Sequence, residues 1–183
     1  MAVWGTETAI LLGYVSAYFT RARAVSVAHG FMETLFPLFI AGLPILISFA
    51  PYNLPQRVPL TSHLFFPYYM LIMGLILGGG LINLLGLLAL KRAFTIMSEA
   101  RKLITNGLFR YVRHPLYTGH FILFFGSLLL RLHSYTIAMY AFFVFGQIVR
   151  AKIEENKLER AFPDYVTYKK RVGMFFPKIV RRH

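Results

Sequence analysis

From Phe65 to Leu90 the chain carries no Asp, Glu, Lys or Arg. About 20 apolar residues in a helix cross a bilayer core, and this run exceeds that length. Four further apolar stretches accompany it, at about 2–19, 31–50, 115–130 and 134–149. The chain has 183 residues, 15% charged and 57% hydrophobic, whereas a soluble domain carries about 25% charged residues. So short a chain forms one domain and cannot wrap five such stretches in soluble structure. The sequence therefore predicts an all-α integral membrane protein with five transmembrane helices in a single domain, 1–183. Residues 1–90 hold the three N-terminal spans, and residues 91–183 hold the remaining two. Those last two are separated only by Arg131-Leu132-His133, which predicts a helical hairpin. Pro37, Pro44 and the glycines at 74, 78, 79 and 80 do not veto helices in lipid, because neighbouring helices re-satisfy the backbone.

Basic residues set the expected topology. Five spans place segments 20–30, 91–113 and the tail from Arg150 on one side, with all but two of the 20 Lys and Arg residues. The exceptions are Arg57 and Arg131. The positive-inside rule makes the basic side cytoplasmic, so the N-terminus is expected outside and the C-terminus inside. This distribution accounts for most of the net charge of +13 through topology and contact with anionic membrane lipids. Nucleic acid is not expected as a partner. There is no cysteine, which removes thiol nucleophiles, disulfides and cysteine-based metal centres. His114 and His120 are six apart, a poor helical spacing for one metal, and no metal site is expected.

The polar chemistry concentrates on the cytoplasmic side. Asn106-Gly107 marks a turn, and Pro115 stands where a helix tolerates proline, in its first turn. Arg113 and His114 then flank a helix N-terminus, which favours anions. Taken alone, this pair reads more readily as head-group anchors. Arg150 and Glu154 are four apart and share a helix face. Glu155 and Glu159 are consistent with a solvated face, but Glu154 follows an apolar span so closely that a functional or paired role is expected.

The string Leu103-Ile104-Thr105-x-Gly107-x-Phe109-x-x-x-Arg113-His114-Pro115-x-Tyr117-x-Gly119 precedes the hairpin. After it come Arg150-x-x-x-Glu154-Glu155-x-x-Leu158-x-x-x-Phe162 and Tyr165-x-x-Tyr168-x-x-Arg171-Val172. This order and spacing resemble the isoprenylcysteine carboxyl methyltransferase family, and the related membrane phospholipid methyltransferases share much of it. The resemblance covers about residues 90–177 and none of the first two spans. It implies that 91–183 is the cofactor-binding methyltransferase half, with S-adenosyl-L-methionine held in a cytoplasmic pocket. By position it sets Arg101, Lys102, Leu103, Ile104, Phe109, His114, Pro115, Leu116 and Tyr117 against the cofactor. It sets Glu154 facing the cofactor and Arg150 facing the methyl acceptor, which makes these two the catalytic candidates. Glu99 falls near a cofactor-contact position. Two departures bear on the acceptor: Phe162-Pro163-Asp164-Tyr165 lacks the usual glycine and is one residue shorter, and Phe109 replaces a tyrosine.

The chemistry of the donor fits these residue types. Arg113 or His114 at a helix start suits its carboxylate. Glu154 or Glu155 suits its ribose hydroxyls or ammonium, and Leu103, Ile104 and Phe109 suit adenine. Methyl transfer needs chiefly in-line positioning. A carboxylate acceptor needs only a cation such as Arg150, whereas an amine needs a proton sink such as Glu154 or Glu155. The expected function is methylation of a lipophilic acceptor that enters from the bilayer, most like isoprenylcysteine carboxyl O-methylation. Phospholipid (ethanolamine) N-methylation and small-thiol S-methylation are alternatives. A nicotinamide-dependent membrane reductase and a non-enzymatic membrane module fit less well. Gly74-x-x-x-Gly78 with Gly79 and Gly80 predicts close helix packing, and Glu7 is expected either at the outer interface or paired within the bundle.

Overall fold

The computed structural model describes residues 28–90 and 103–178. The expected first span with Glu7, and the candidates Glu99, Arg101 and Lys102, lie outside the described residues. Secondary structure among the described residues is helical: α1 (Gly30–Glu33), α2 (Leu35–Ser48), α3 (Leu54–Arg57), α4 (Phe65–Leu90), a 3-10 turn (Gly107–Arg110), α5 (Pro115–Leu130), α6 (Ser134–Ala161) and α7 (Asp164–Arg171). Two helices, α4 and α6, are long and apolar enough to cross a membrane. α2 and α5, with 14 and 16 residues, are shorter apolar helices.

α4 and α5 keep the bounds that the sequence predicts, and the other two differ for local reasons. The stretch 31–50 is not one helix. Pro37 has no N–H to donate to the Glu33 carbonyl, and the chain breaks at Thr34 (φ −114°, ψ −70°) between α1 and α2. α6 does not stop at Val149 with the apolar run. No Gly or Pro interrupts residues 147–162, so the helix continues for 28 residues in all and carries Arg150, Glu154 and Glu155 on one rigid rod. It ends at Phe162, held extended (φ −137°, ψ 102°) before Pro163.

The helices alternate in direction. Lys157 Nζ of α6 meets Glu33 Oε2 of α1 at 2.5 Å, midway along Gly146 packs on Ile40, and at the far end Arg131 meets the Ala50 carbonyl at 3.0 Å. Residues 28–33 and the polar end of α6 thus share one end of the bundle, and 50–57 with 131–133 share the other. Arg131 is only 1% exposed. Its guanidinium donates to the Ala50 carbonyl, to Ser127 Oγ at 2.7 Å and to Tyr52 Oη at 2.9 Å, and lies 4.2 Å over the Tyr52 ring. It clamps the chain after α2 onto the hairpin turn.

The tightest seam joins α4 to α5. A Cβ at Gly79 would lie 2.5 Å from the Leu123 backbone nitrogen, and one at Gly119 would lie 2.8 Å from the Gly79 carbonyl. Gly126 sits against Ile72 and Ile76, and Gly86 against Leu116. Small residues thus bring the two backbones together, as expected in membrane helices, and of the predicted glycines it is Gly79 that makes the contact. The Cβ positions of Gly74 and Gly78 face open space; the contact stripe is Gly79, Asn83 and Gly86, one helical position around. Asn83 lies in this seam, 1% exposed, with Nδ2 donating to the Gly79 carbonyl at 3.2 Å. Gly79→Val is therefore expected to cost about 1–3 kcal/mol by overpacking, and Gly78→Val almost nothing. Thermal unfolding in detergent micelles reads both; equal losses would contradict this register.

Candidate active site at the mouth of the hairpin

The site grows from the start of α5. Gly107 takes φ +59°, a conformation glycine adopts without strain, and the 3-10 turn that follows drops Phe109 into an apolar cluster with Leu87, Leu116, Tyr117 and Ala151. Ile104 packs against the same cluster, and Leu103 is half-buried. The chain then runs straight beside its own C-terminal strap. Arg113 N–H donates to the Gly173 carbonyl at 2.8 Å, and His114 N–H to the Met174 carbonyl at 3.0 Å. Pro115 begins α5 with His114 as the residue that caps it. Sequence reasoning missed the strap. Its Phe175 ring lies 5.8 Å from His114 and 5.2 Å from Phe121, and its carbonyl accepts from Thr118 Oγ1 at 2.9 Å.

Two neighbouring glutamates of α6 meet this segment in different ways. Glu155 is 3% exposed. It accepts from Arg113 Nε at 2.7 Å, bonds His114 Nε2 at 3.1 Å and pairs with Lys169 Nζ at 3.1 Å. Burial alone would raise its pKa, but the His114 and Arg113 hydrogen bonds and charges outweigh that and hold the carboxyl well below the usual carboxylate range. Arg113 is committed further, with Nη1 donating to the carbonyls of Lys169 and Val172. Its role here is to bind α7 and the strap to the start of α5. Glu154 is more open, with a side chain 20% exposed. It accepts from Tyr117 Oη at 2.5 Å and from Arg150 Nε at 3.1 Å, and its Oε2 stands 4.0 Å from His114 Nδ1. His114 thus stands between the two carboxylates, with one ring nitrogen toward each.

Tyr117 completes the wall. Its ring stacks on His114 at 5.3 Å with 2° between planes, and the Arg150 guanidinium lies 5.2 Å from its centroid. Arg150, Glu154, Leu103, Ile104, Phe109, Arg113, His114, Pro115, Leu116, Tyr117 and Glu155 therefore gather at one end of the bundle. Pro115 and Leu116 are buried, Leu116 against Gly86 of α4. The unusual Phe109 and the later tyrosines are also linked: Tyr168 Oη donates to the Phe109 carbonyl at 2.6 Å, and burial pushes the Tyr168 phenol up to about 12. The departure at Pro163 serves local structure, since Pro163 opens α7 and leaves Tyr165 1% exposed beneath it. The arrangement offers an acidic group at a partly open position, an aromatic wall and an apolar bed within a few ångströms of one another. Among the described residues no group of His, Asp and Glu is placed to hold a metal.

A model of one protein family, described as phospholipid methyltransferase, matches residues 68–165, more than half of the chain. That family is related to the isoprenylcysteine carboxyl methyltransferases. The match takes in α4 from Tyr68 onward, residues 91–114, the hairpin and both glutamates, and it leaves out α2. No curated protein matches the chain.

Glu155 joins the Arg113, His114 and Lys169 side chains, so removing it leaves the part-buried Arg113 guanidinium without its counter-charge. Glu155→Ala is expected to destabilise the fold by about 3 kcal/mol or more, read by denaturation in detergent. Because its folded pKa is depressed, its stabilisation is fully present above the unfolded value of about 4.3. It is lost as pH falls through the folded value. The melting temperature of the parent should fall across that window, and that of Glu155→Gln should fall less.

Proposed function

The chain belongs to the phospholipid methyltransferase family, and on that premise we propose that it transfers a methyl group from S-adenosyl-L-methionine to a lipophilic acceptor at the membrane. The family and the two long apolar helices mark it as a membrane-associated methyltransferase. In our reading it crosses the bilayer several times, with the slot on the cytoplasmic side, and the acceptor's tail enters between helices from the lipid.

The observation that carries this reading is the meeting of two segments far apart in sequence, where Tyr117 Oη bonds Glu154 at 2.5 Å and His114 bonds Glu155 at 3.1 Å. The slot they line suits the donor group by group. Glu154, the more open carboxylate, takes the ammonium or the ribose hydroxyls. The Leu103, Ile104 and Phe109 side takes adenine. His114 at the start of α5 takes the carboxylate. The engagement of Arg113 with Glu155 and two carbonyls argues against Arg113 in that last role. When bound, the cofactor supplies an electrophilic methyl group on a positively charged sulfur. The protein then has to orient donor and acceptor in line and keep water out, which Tyr117, Pro115 and Leu116 do by shape. The sequence resemblance favours a prenylated cysteine carboxylate as acceptor, and the family description favours a phospholipid amine. In either case Arg150 faces the acceptor's polar head, held in place by its ion pair with Glu154.

Calorimetric titration of the purified protein in detergent with S-adenosyl-L-methionine tests the assignment. The parent should bind, and His114→Ala and Glu154→Ala should each weaken binding by about tenfold or more, one charge-assisted contact's worth. No binding by the parent, or binding of a nicotinamide cofactor instead, would overturn the function. Unchanged binding by both variants would overturn the site.

A further inference from the structure

Gln147 Oε1 is one of the buried side-chain polar atoms without a hydrogen-bond partner among the described residues, and it lies on the same helix as Arg150 and Glu154. Gln147 stands on α6 one turn before Arg150, at the i, i+3 spacing that puts both on one face. The residue is 1% exposed, and its Oε1 has no hydrogen-bond partner among the described residues. A buried amide oxygen without a donor is costly, and an apolar side chain of the same shape would avoid that cost. Four residues to either side on the same face are Phe143 and Ala151, each the edge of an apolar cluster. Both clusters are apolar, and neither supplies a donor to the amide oxygen.

We propose that Gln147 reads the head group of the methyl acceptor, its amide oxygen accepting a hydrogen bond from the atom to be methylated for as long as that atom carries a hydrogen. The proposal rests on the methyltransferase reading above and deepens it. Gln147 and Arg150 are about 4.5 Å apart along the helix axis, so one small head group spans both levels. An amine fits here: its N–H donates to Gln147 Oε1. A carboxylate head brings only lone pairs, which would face the amide oxygen's own. A fully methylated ammonium has no hydrogen left to donate, so the same oxygen that holds an unfinished acceptor releases the finished product.

Calorimetry on the full chain in detergent, saturated with S-adenosylhomocysteine, tests this with two short-chain probes, dihexanoyl phosphatidylethanolamine and dihexanoyl phosphatidylcholine. The parent should bind the ethanolamine lipid about tenfold more tightly, the upper end for one hydrogen bond. Gln147→Leu should bind the two alike, with unchanged affinity for S-adenosylhomocysteine and a melting temperature equal to the parent's or higher. Gln147→Met is read in the same way should the leucine variant fail to fold. A parent that binds S-adenosylhomocysteine without preferring the ethanolamine lipid overturns the Gln147 assignment alone, as does a variant that keeps the preference. A parent that binds no S-adenosylhomocysteine overturns the methyltransferase reading and this inference with it.

Discussion

The Glu155 carboxylate is the junction on which the site depends. One buried anion is shared by Arg113 from the start of α5, by His114 that caps it and by Lys169 from α7. A lone charge at this depth would cost several kcal/mol, and its three partners offset that only in this geometry. Because Arg113 also donates to the carbonyls of Lys169 and Val172, the junction fixes the strap that supplies Phe175. His114 is oriented by Glu155 and thereby turned toward Glu154. The adjacent glutamate is left partly open, so two neighbouring residues on one helix differ: one is committed to the structure and one stays accessible.

The junction works because the scaffold beneath it is rigid. α4 and α5 approach through Gly79, Gly119 and Gly126 until backbone meets backbone, and Arg131 fastens the far end of the hairpin with three hydrogen bonds to neutral oxygens. α6 then runs unbroken from that clamp through the apolar region to both glutamates, so the spacing of Gln147, Arg150 and Glu154 is set by helix geometry. A site on a continuous helix is held more closely than one on a loop.

Much of this was legible in residue patterns. The uncharged run Phe65–Leu90 and the proline at 115 gave α4 and α5 their ends, because charge and proline act locally. The meeting of 103–117 with 150–155 followed from the family resemblance. What the patterns hid was tertiary. The glycines at 74, 78, 79 and 80 all read as packing residues, yet Gly79 makes the seam and the Cβ positions of Gly74 and Gly78 face open space, because a helix's packing face is chosen by its neighbour. Arg113 reads as an anion ligand until Glu155 and two carbonyls are seen to occupy it. Arg131 reads as a topological marker and is a buried clamp. The strap at Met174 and Phe175 carries no periodic signal, since its pairing to Arg113 and His114 uses backbone atoms. Gln147 is one polar residue in an apolar helix, and only its burial without a partner for Oε1 sets it apart.

The claim that ties these parts together is that the start of α5 and the polar end of α6 enclose one slot for the methyl donor. Hydrogen–deuterium exchange with and without S-adenosylhomocysteine tests it directly, because opening of each segment is read separately. The account predicts that residues 103–118 and 150–156 become protected together, while 50–57 and 131–136 at the opposite end of the bundle do not change. Protection confined to the Arg131 end, or to only one of the two segments, would contradict it.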